Sequence, residues 1–248
     1  MKGNEIMNYV EFEVYGDRAL FTDPKYKLSG EKTSYMIPTY EAIKGVCKSI
    51  YWKPTFIWVV DEVRIMNPIK TETMSVRPLS DGFADFKHIN NRKNDLAYYT
   101  YLKNVRYQVK AHLEWNNNRE DLILDRKLSK HINIMNKMIE RGGRQDIFLG
   151  TRECQAYVEP HTFGHGESFY DGTGVCKEDE MYHSITYADE AYDSKTEGRI
   201  TKNFWMPVIE NGIIKFCRPN RCDRKEYLHE MSIKPFGVEH KNFTIEKE

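Results

Sequence analysis

Pro38 to Met66 reads PTYEAIKGVCKSIYWKPTFIWVVDEVRIM, and its hydrophobic period changes in the middle. Ile43, Val46, Cys47, Ile50 and Tyr51 recur at spacings of three and four, which puts them on one face of a helix. Thr39 is placed to start that helix, its hydroxyl accepting from an N–H that the first turn leaves unpaired. Pro54 lacks the N–H needed to continue the ladder, so the helix ends before it. From Thr55 to Met66 the residues turn β-branched and aromatic, the composition of a strand. A helix therefore hands over to a strand, with Tyr51 at the helix end on the edge of its apolar face.

Upstream, Val10, Phe12 and Val14 alternate with Glu11, Glu13 and Tyr15, a half-buried strand ending at Gly16. Phe21 to Pro38 reads as a loop, with turn signals at Asp23-Pro24 and Ser29-Gly30. Downstream, 67–98 is polar and turn-rich, a long hairpin or a segment that orders on binding. A third strand covers Thr100 to Trp115. On it Tyr107, Val109, Ala111, Leu113 and Trp115 face one side, and Arg106, Gln108, Lys110 and His112 the other. A second helix begins near Ser129, with Leu128, Ile132, Met135 and Ile139 as its apolar stripe and Gly142-Gly143 as its stop. A fourth strand runs from Asp146 to Val158. The order βαββαβ predicts an α+β, ferredoxin-like (RRM-like) domain over 1–160, carrying the 67–98 excursion as an insertion.

After Pro160 the composition shifts to Gly, His, Tyr and acids. Strands are expected at Met181–Tyr187, Phe204–Ile209 and Ile213–Arg218, the last two joined by an Asn211-Gly212 hairpin turn. The expectation is a small antiparallel sheet appended as a β-rich region, 161–248. The stretch from Asn220 onward shows no pattern.

The 248 residues carry no net charge, so the whole-chain balance points to no nucleic acid. The distribution is uneven. Residues 1–160 hold 25 Lys and Arg against 21 Asp and Glu, and 161–248 hold 12 against 16. Five cysteines form no C-x-x-C pair, which fits a reducing compartment without a disulfide framework. With no long apolar run and no signal-like start, the expected location is the cytoplasm. Phosphate-loop, dinucleotide, zinc-protease and serine-hydrolase motifs are all missing. His161 and His165 are spaced as a metal pair would be on a helix, but Pro160 and Gly164 argue against a helix there.

A four-stranded sheet of this type is a common RNA-binding platform, although fold alone does not fix function. RNA can be cut without a metal because its own 2′-hydroxyl is a nucleophile. The enzyme must remove that proton, offset charge at phosphorus and protonate the leaving 5′-oxygen. Lys130 and His131, at the start of the second helix, suit those tasks. The helix dipole there favours a neutral imidazole, and backbone N–H groups can hold a phosphate. The competing reading is a solvated helix cap. By pattern alone Tyr51 reads first as a core aromatic closing the helix, with its hydroxyl at the surface. Lys110 and His112 share a strand face and form a rival pair. The turn Gly142-Gly143-Arg144 would let an RNA backbone approach closely, with Arg152 adding charge. Lys32, Lys53, Arg77 and Arg106 complete the candidate RNA contacts. No cofactor and no metal is expected.

Long joined motifs carry a resemblance. They include Phe12-Glu13-Val14-Tyr15-Gly16-Asp17, Pro38-Thr39-Tyr40-x-Ala42-x-Lys44-Gly45 and Ser49-Ile50-Tyr51-Trp52-Lys53-Pro54. Tyr107-Gln108-Val109-Lys110-Ala111-His112, Gly142-Gly143-Arg144-x-Asp146-Ile147-Phe148-Leu149-Gly150 and Phe169-Tyr170-Asp171-Gly172 extend it. In these motifs the chain resembles the CRISPR-associated RAMP proteins of subtype I-C, also called the Dvulg type. The match covers most of the chain and weakens after about Arg218. The resemblance implies a metal-independent endoribonuclease that cuts CRISPR precursor RNA at the repeat hairpin and leaves a cyclic phosphate. It implies that the guide RNA stays bound and that the partners are the other subunits of a surveillance complex. It carries the catalytic roles onto Tyr51, Lys130 and His131. Leu128-Ser129 departs from a more glycine-rich version. The alternative is a non-catalytic subunit that holds the guide's 5′ end.

Overall fold

The computed structural model describes residues 8–29, 31–77, 96–193 and 195–233. In chain order its elements are β1 (Tyr9–Ala19), β2 (Lys32–Thr33), α1 (Tyr40–Ile50), β3 (Phe56–Ile65), β4 (Thr71–Val76), β5 (Ala97–Trp115), α2 (Leu128–Glu140), β6 (Ile147–Phe148), β7 (Gln155–Pro160), β8 (Val175–Lys177), β9 (Met181–Thr186), β10 (Arg199–Trp205), β11 (Val208–Glu210), β12 (Ile213–Lys215) and β13 (Arg224–Glu230).

The Pro38–Met66 stretch folds as its period predicts. Thr39 Oγ1 caps α1 by accepting from Ala42 N at 3.2 Å. Ile43, Val46, Cys47 and Ile50 are buried on one face. Burial of β3 covers Phe56, Trp58 and Val60, then Val63 and Ile65, with the register shifting against β5 between Val60 and Glu62. In the sheet, β1 lies between β7 and β5, and β3 flanks β5 on its other side, every pairing antiparallel. β1 and β3 therefore run the same way with β5 between them, the split strand–helix–strand arrangement. The two helices pack on one face of this sheet. Phe12, Val14, Val63, Tyr107 and Val109 join Ile43, Ile50, Ile132, Met135 and Ile139 in one core.

Four expectations need correction. The fourth strand, read as Asp146–Val158, is two short strands, β6 and β7, paired with each other. Gly150 breaks it at φ +96, and a Cβ there would stand 2.0 Å from Leu20 O. Second, Phe204–Ile209 is not continuous: Met206-Pro207 separates β10 from β11, because proline cannot donate to the ladder. Third, the Asn211-Gly212 hairpin forms, with both residues at positive φ (50° and 77°), but β12 pairs with β3. It extends the large sheet rather than the appended one. Fourth, the stretch after Asn220 contains β13, which completes the three-stranded sheet β13-β10-β9. Alternation there is masked because most of β13 is exposed.

The 67–98 excursion leaves and returns as a hairpin, β4 pairing with the N-terminal part of β5. Its interior, 78–95, with Lys87, Arg92 and Lys93, lies outside the described residues. The three-stranded sheet docks on α1. Glu190 pairs with Lys44 and with Lys48 (2.9 Å), Glu41 accepts from Ile185 N at 3.2 Å, and Tyr40 stacks on His183 at 4.4 Å. No helix among the described residues is long and apolar enough to cross a membrane.

Candidate active site

Tyr51 is the residue on which α1 ends. Its N–H still bonds Cys47 O at 3.0 Å, while its backbone turns extended toward β3. Trp58 Nε1 donates to its carbonyl at 2.7 Å, fixing the main chain from the neighbouring strand. His131 closes the first turn of α2, donating its N–H to Lys127 O at 3.2 Å. The two elements bring Tyr51 Oη to 2.9 Å from His131 Nδ1 across 80 residues of chain. Phe56 and Trp115 rings flank the imidazole at 5.0 and 5.9 Å.

The other ring nitrogen settles the proton arrangement. Nε2 lies 2.8 Å from Asp125 O, a carbonyl that can only accept, so Nε2 carries the hydrogen. A neutral ring then has its lone pair at Nδ1, and the Tyr51 hydroxyl donates to it. In that tautomer Tyr51 is the donor and His131 the acceptor of the 2.9 Å bond. Lys130, next in sequence, points outward and pairs with Asp125 Oδ1 at 3.2 Å. Thr55 Oγ1 donates to Asp125 Oδ2 at 2.8 Å. Burial works to raise the pKa of Asp125, but hydrogen bonds from Thr55 and Lys130 prevail and hold it below the usual carboxylate value.

The site is closed. Tyr51 is 1% exposed and His131 0%, whereas Lys130 is 39% exposed along its side chain. The helix cap expected at Lys130-His131 is thus solvated only at the lysine. His131 belongs to the buried face with Ile132, Met135 and Ile139, a membership the apolar pattern did not show. The 3-10 segment Glu120–Asp125 lies against it, its Asp125 carbonyl touching His131. It turns Ile123 and Leu124 outward, Leu124 at 90% exposure.

The glycine turn belongs to the same end of the molecule. Gly142 and Gly143 adopt φ +84 and +110 and close α2. Arg144 N and Gln145 N then donate to Ile50 O and Ser49 O at the end of α1, beside Tyr51. Half-buried Lys53 sits just beyond, between α1 and β3.

The rival pair is elsewhere. Lys110 and His112 lie on the β5 face that turns away from the helices. Lys110 Nζ stands 5.0 Å over the Tyr9 ring. His112 is held by Asp61 (2.7 Å) and Glu114 (3.3 Å), and Arg218 binds Glu114 in turn. The Asp61 hydrogen bond raises the His112 pKa against the opposing effect of burial, which favours a fixed cation over a base. Arg106, on the same face, pairs with buried Glu13 (Nε at 2.6 Å) and with Glu159 at 3.6 Å. Lys32 lies over Tyr99 and Arg152 over Phe148, at 4.8 and 5.9 Å, while Arg77 is exposed at the end of β4. His161 and His165 share a loop, not a helix. His161 Nε2 meets Gln108 Nε2 (2.8 Å) and His165 O (3.2 Å).

Sequence reasoning missed Thr55 and Asp125 as the residues that hold His131 and Lys130 in place. Thr55 reads as the start of a strand, and Asp125 follows the short apolar run Leu122-Ile123-Leu124, which has no helical or strand period. Only the burial of His131 exposes their role.

Comparisons with known proteins agree with this fold. The chain is 28% identical over 165 residues, 60% of its length and 71% of the relative's, to the CRISPR pre-crRNA endoribonuclease Cas5d of Mannheimia succiniciproducens. It is 26% identical over 166 residues, 62% of its length and 65% of the relative's, to the protein of the same name from Thermus thermophilus. Among solved structures, a CRISPR-associated protein superposes with a TM-score of 0.69 at 33% identity. A functionally uncharacterized protein from Streptococcus mutans superposes at 0.68 and 37% identity. Each comparison covers 88% of this chain and 96% of the other. A family model described as CRISPR-associated protein (Cas_Cas5) matches residues 9–217, and the chain belongs to that Cas5d family.

Proposed function

We propose that the chain cuts CRISPR precursor RNA at the repeat hairpin as a metal-independent endoribonuclease, and then keeps the guide RNA as a subunit of a surveillance complex. The observation that carries this reading is the 2.9 Å contact between Tyr51 Oη and His131 Nδ1, with the Lys130 ammonium adjoining. The names of the Mannheimia and Thermus relatives support it. The five cysteines are unbridged, in keeping with a cytoplasmic enzyme.

In this reading the RNA 2′-oxygen attacks the adjacent phosphorus as it loses its proton. The P–O5′ bond breaks, the 5′-oxygen takes up a proton, and a 2′,3′-cyclic phosphate remains. Tyr51 and His131 act as one proton-handling unit, Tyr51 meeting the RNA and His131 behind it. Lys130 offsets the charge that builds on the phosphorane. Because both ring groups are buried, the 3-10 segment Glu120–Asp125 withdraws to admit the scissile phosphate.

That same burial favours the second reading, a non-catalytic subunit in which Tyr51–His131 is a structural pair. Repeat RNA in excess chelator separates the two. The catalytic reading expects cleavage by the wild type and a loss of ~10²-fold or more in His131→Ala and Lys130→Ala. His131 is a core residue, so its variant is compared at equal folded fraction by circular dichroism. Lys130→Ala, with its side chain outside the core, gives the independent reading. RNA that is bound but never cut by the wild type would leave the second reading standing. Cleavage abolished by chelator while the chain stays folded by circular dichroism would contradict metal independence.

A further inference from the structure

His183, Cys217 and Cys222 come from three separate places in the chain and present ligand atoms within 4.8 Å of one another. His183 is on β9, Cys217 follows β12, and Cys222 follows the 3-10 turn Pro219–Arg221. We propose that these residues form a structural zinc site that fastens the three-stranded sheet to the edge of the large one.

Four observations support the assignment. The spacing Cys217-x-x-x-x-Cys222 falls within the C-x₂₋₄-C range of structural zinc sites, although it is not the C-x-x-C pair sought in the sequence. The two sulfurs are 3.8 Å apart. Two thiolates at ~2.3 Å from a tetrahedral zinc stand about 3.8 Å from each other, whereas a disulfide needs ~2.05 Å. His183 is fully buried and its ring orientation is fixed from behind. Nδ1 meets Ser184 Oγ at 2.8 Å, and Asn203 Nδ2 donates to the same oxygen at 3.1 Å. Such an outer partner is what a ligating histidine requires. Nε2 faces the Cys217 side, 3.1 Å from its carbonyl oxygen, and is the nitrogen left for the metal. Finally, the wall is apolar and aromatic: Tyr40, Trp205 and Phe216 surround the imidazole at 4.4, 5.2 and 6.1 Å. These residues supply three ligands, and a water would complete the tetrahedron.

Zinc binding displaces the two thiol protons; the imidazole stays neutral, its proton moving from Nε2, where it meets Cys217 O, to Nδ1, where Ser184 Oγ accepts it, with no change of oxidation state. The site lies behind the first residue of α1, at the opposite end of that helix from Tyr51. It acts on docking of the sheet and not on RNA chemistry.

The test is metal content of the full chain, a reading independent of whether the protein cuts RNA. Chain isolated under reducing conditions and offered zinc should hold about one zinc per molecule. Cobalt(II) added to the metal-free chain should give the thiolate charge-transfer and tetrahedral ligand-field bands. Cys222→Ser and His183→Ala should lose both, and Cys176→Ser, at an exposed cysteine on β8, should keep them. Removing zinc from the wild type should lower Tm. The wild-type cobalt spectrum needs no variant to fold. Absence of stoichiometric metal, a cobalt spectrum without thiolate bands, or recovery of a Cys217–Cys222 disulfide from cells would each overturn the site.

Discussion

Tyr51 Oη and His131 Nδ1 share one hydrogen bond inside the core, so Tyr51→Phe removes a hydroxyl and leaves a buried nitrogen without its donor. The expected cost is about 1–3 kcal/mol of stability, with cleavage falling by ~10²–10⁴-fold if the pair moves protons. RNA affinity should hardly change. Single-turnover cleavage and thermal unfolding, measured on the same sample, separate the two effects. Asp125 has its own signature. Its folded pKa lies below the usual value of 3.8, so its bonds to Thr55 and Lys130 stabilise the fold fully above that value. The contribution fades as pH falls through the lower folded pKa. Asp125→Asn should therefore lower Tm at neutral pH, and the deficit should shrink in acid. A deficit that is constant with pH would mean the carboxylate charge is not what holds Thr55 and Lys130. The sequence displays residue types but not these distances: Tyr51 and His131 were nameable with roles, Asp125 only as part of the Asp125-Arg126 pair that matches the family resemblance, and Thr55 not at all.

Elements were legible where a period runs long enough. α1 and β3 follow their patterns because each buries one face against the same core. Shorter or one-sided elements hid. The break at Gly150 depends on the approach of Leu20 O, a partner 130 residues away. Gly150→Ala combines a strained φ with a Cβ inside contact distance, and it should cost on the order of 3 kcal/mol or more, read as a lowered denaturation midpoint. The segment Glu120–Asp125 is the other element on which the account depends. Its hydrogen bond from His131 must break if RNA is to reach Tyr51. Amide exchange across 119–127 should quicken when uncleavable repeat RNA binds. Unchanged or slower exchange there would speak for a pair that stays closed.

On the scale of the whole molecule, two groups stand apart among the cations expected to meet RNA. Arg106 and His112, on the sheet face away from the helices, are tied to carboxylates. Lys53 and the glycine turn share the end of α1 with Tyr51. Lys53→Ala should weaken RNA binding and reduce the salt slope by about one. Arg106→Ala, which strands the buried Glu13 carboxylate, should act mainly on stability. Net charge, zero overall, shows neither group, because pairing is a property of the fold. The central claim is that the substrate's own 2′-oxygen is the nucleophile, activated at Tyr51–His131 without metal. Its most direct test is single-turnover cleavage by the wild type, in chelator, of repeat RNA with and without a 2′-deoxy substitution at the cut nucleotide. The account predicts that the unmodified RNA is cut to a cyclic phosphate and that the substituted RNA is bound but left whole. Cleavage of both at the same rate would contradict it.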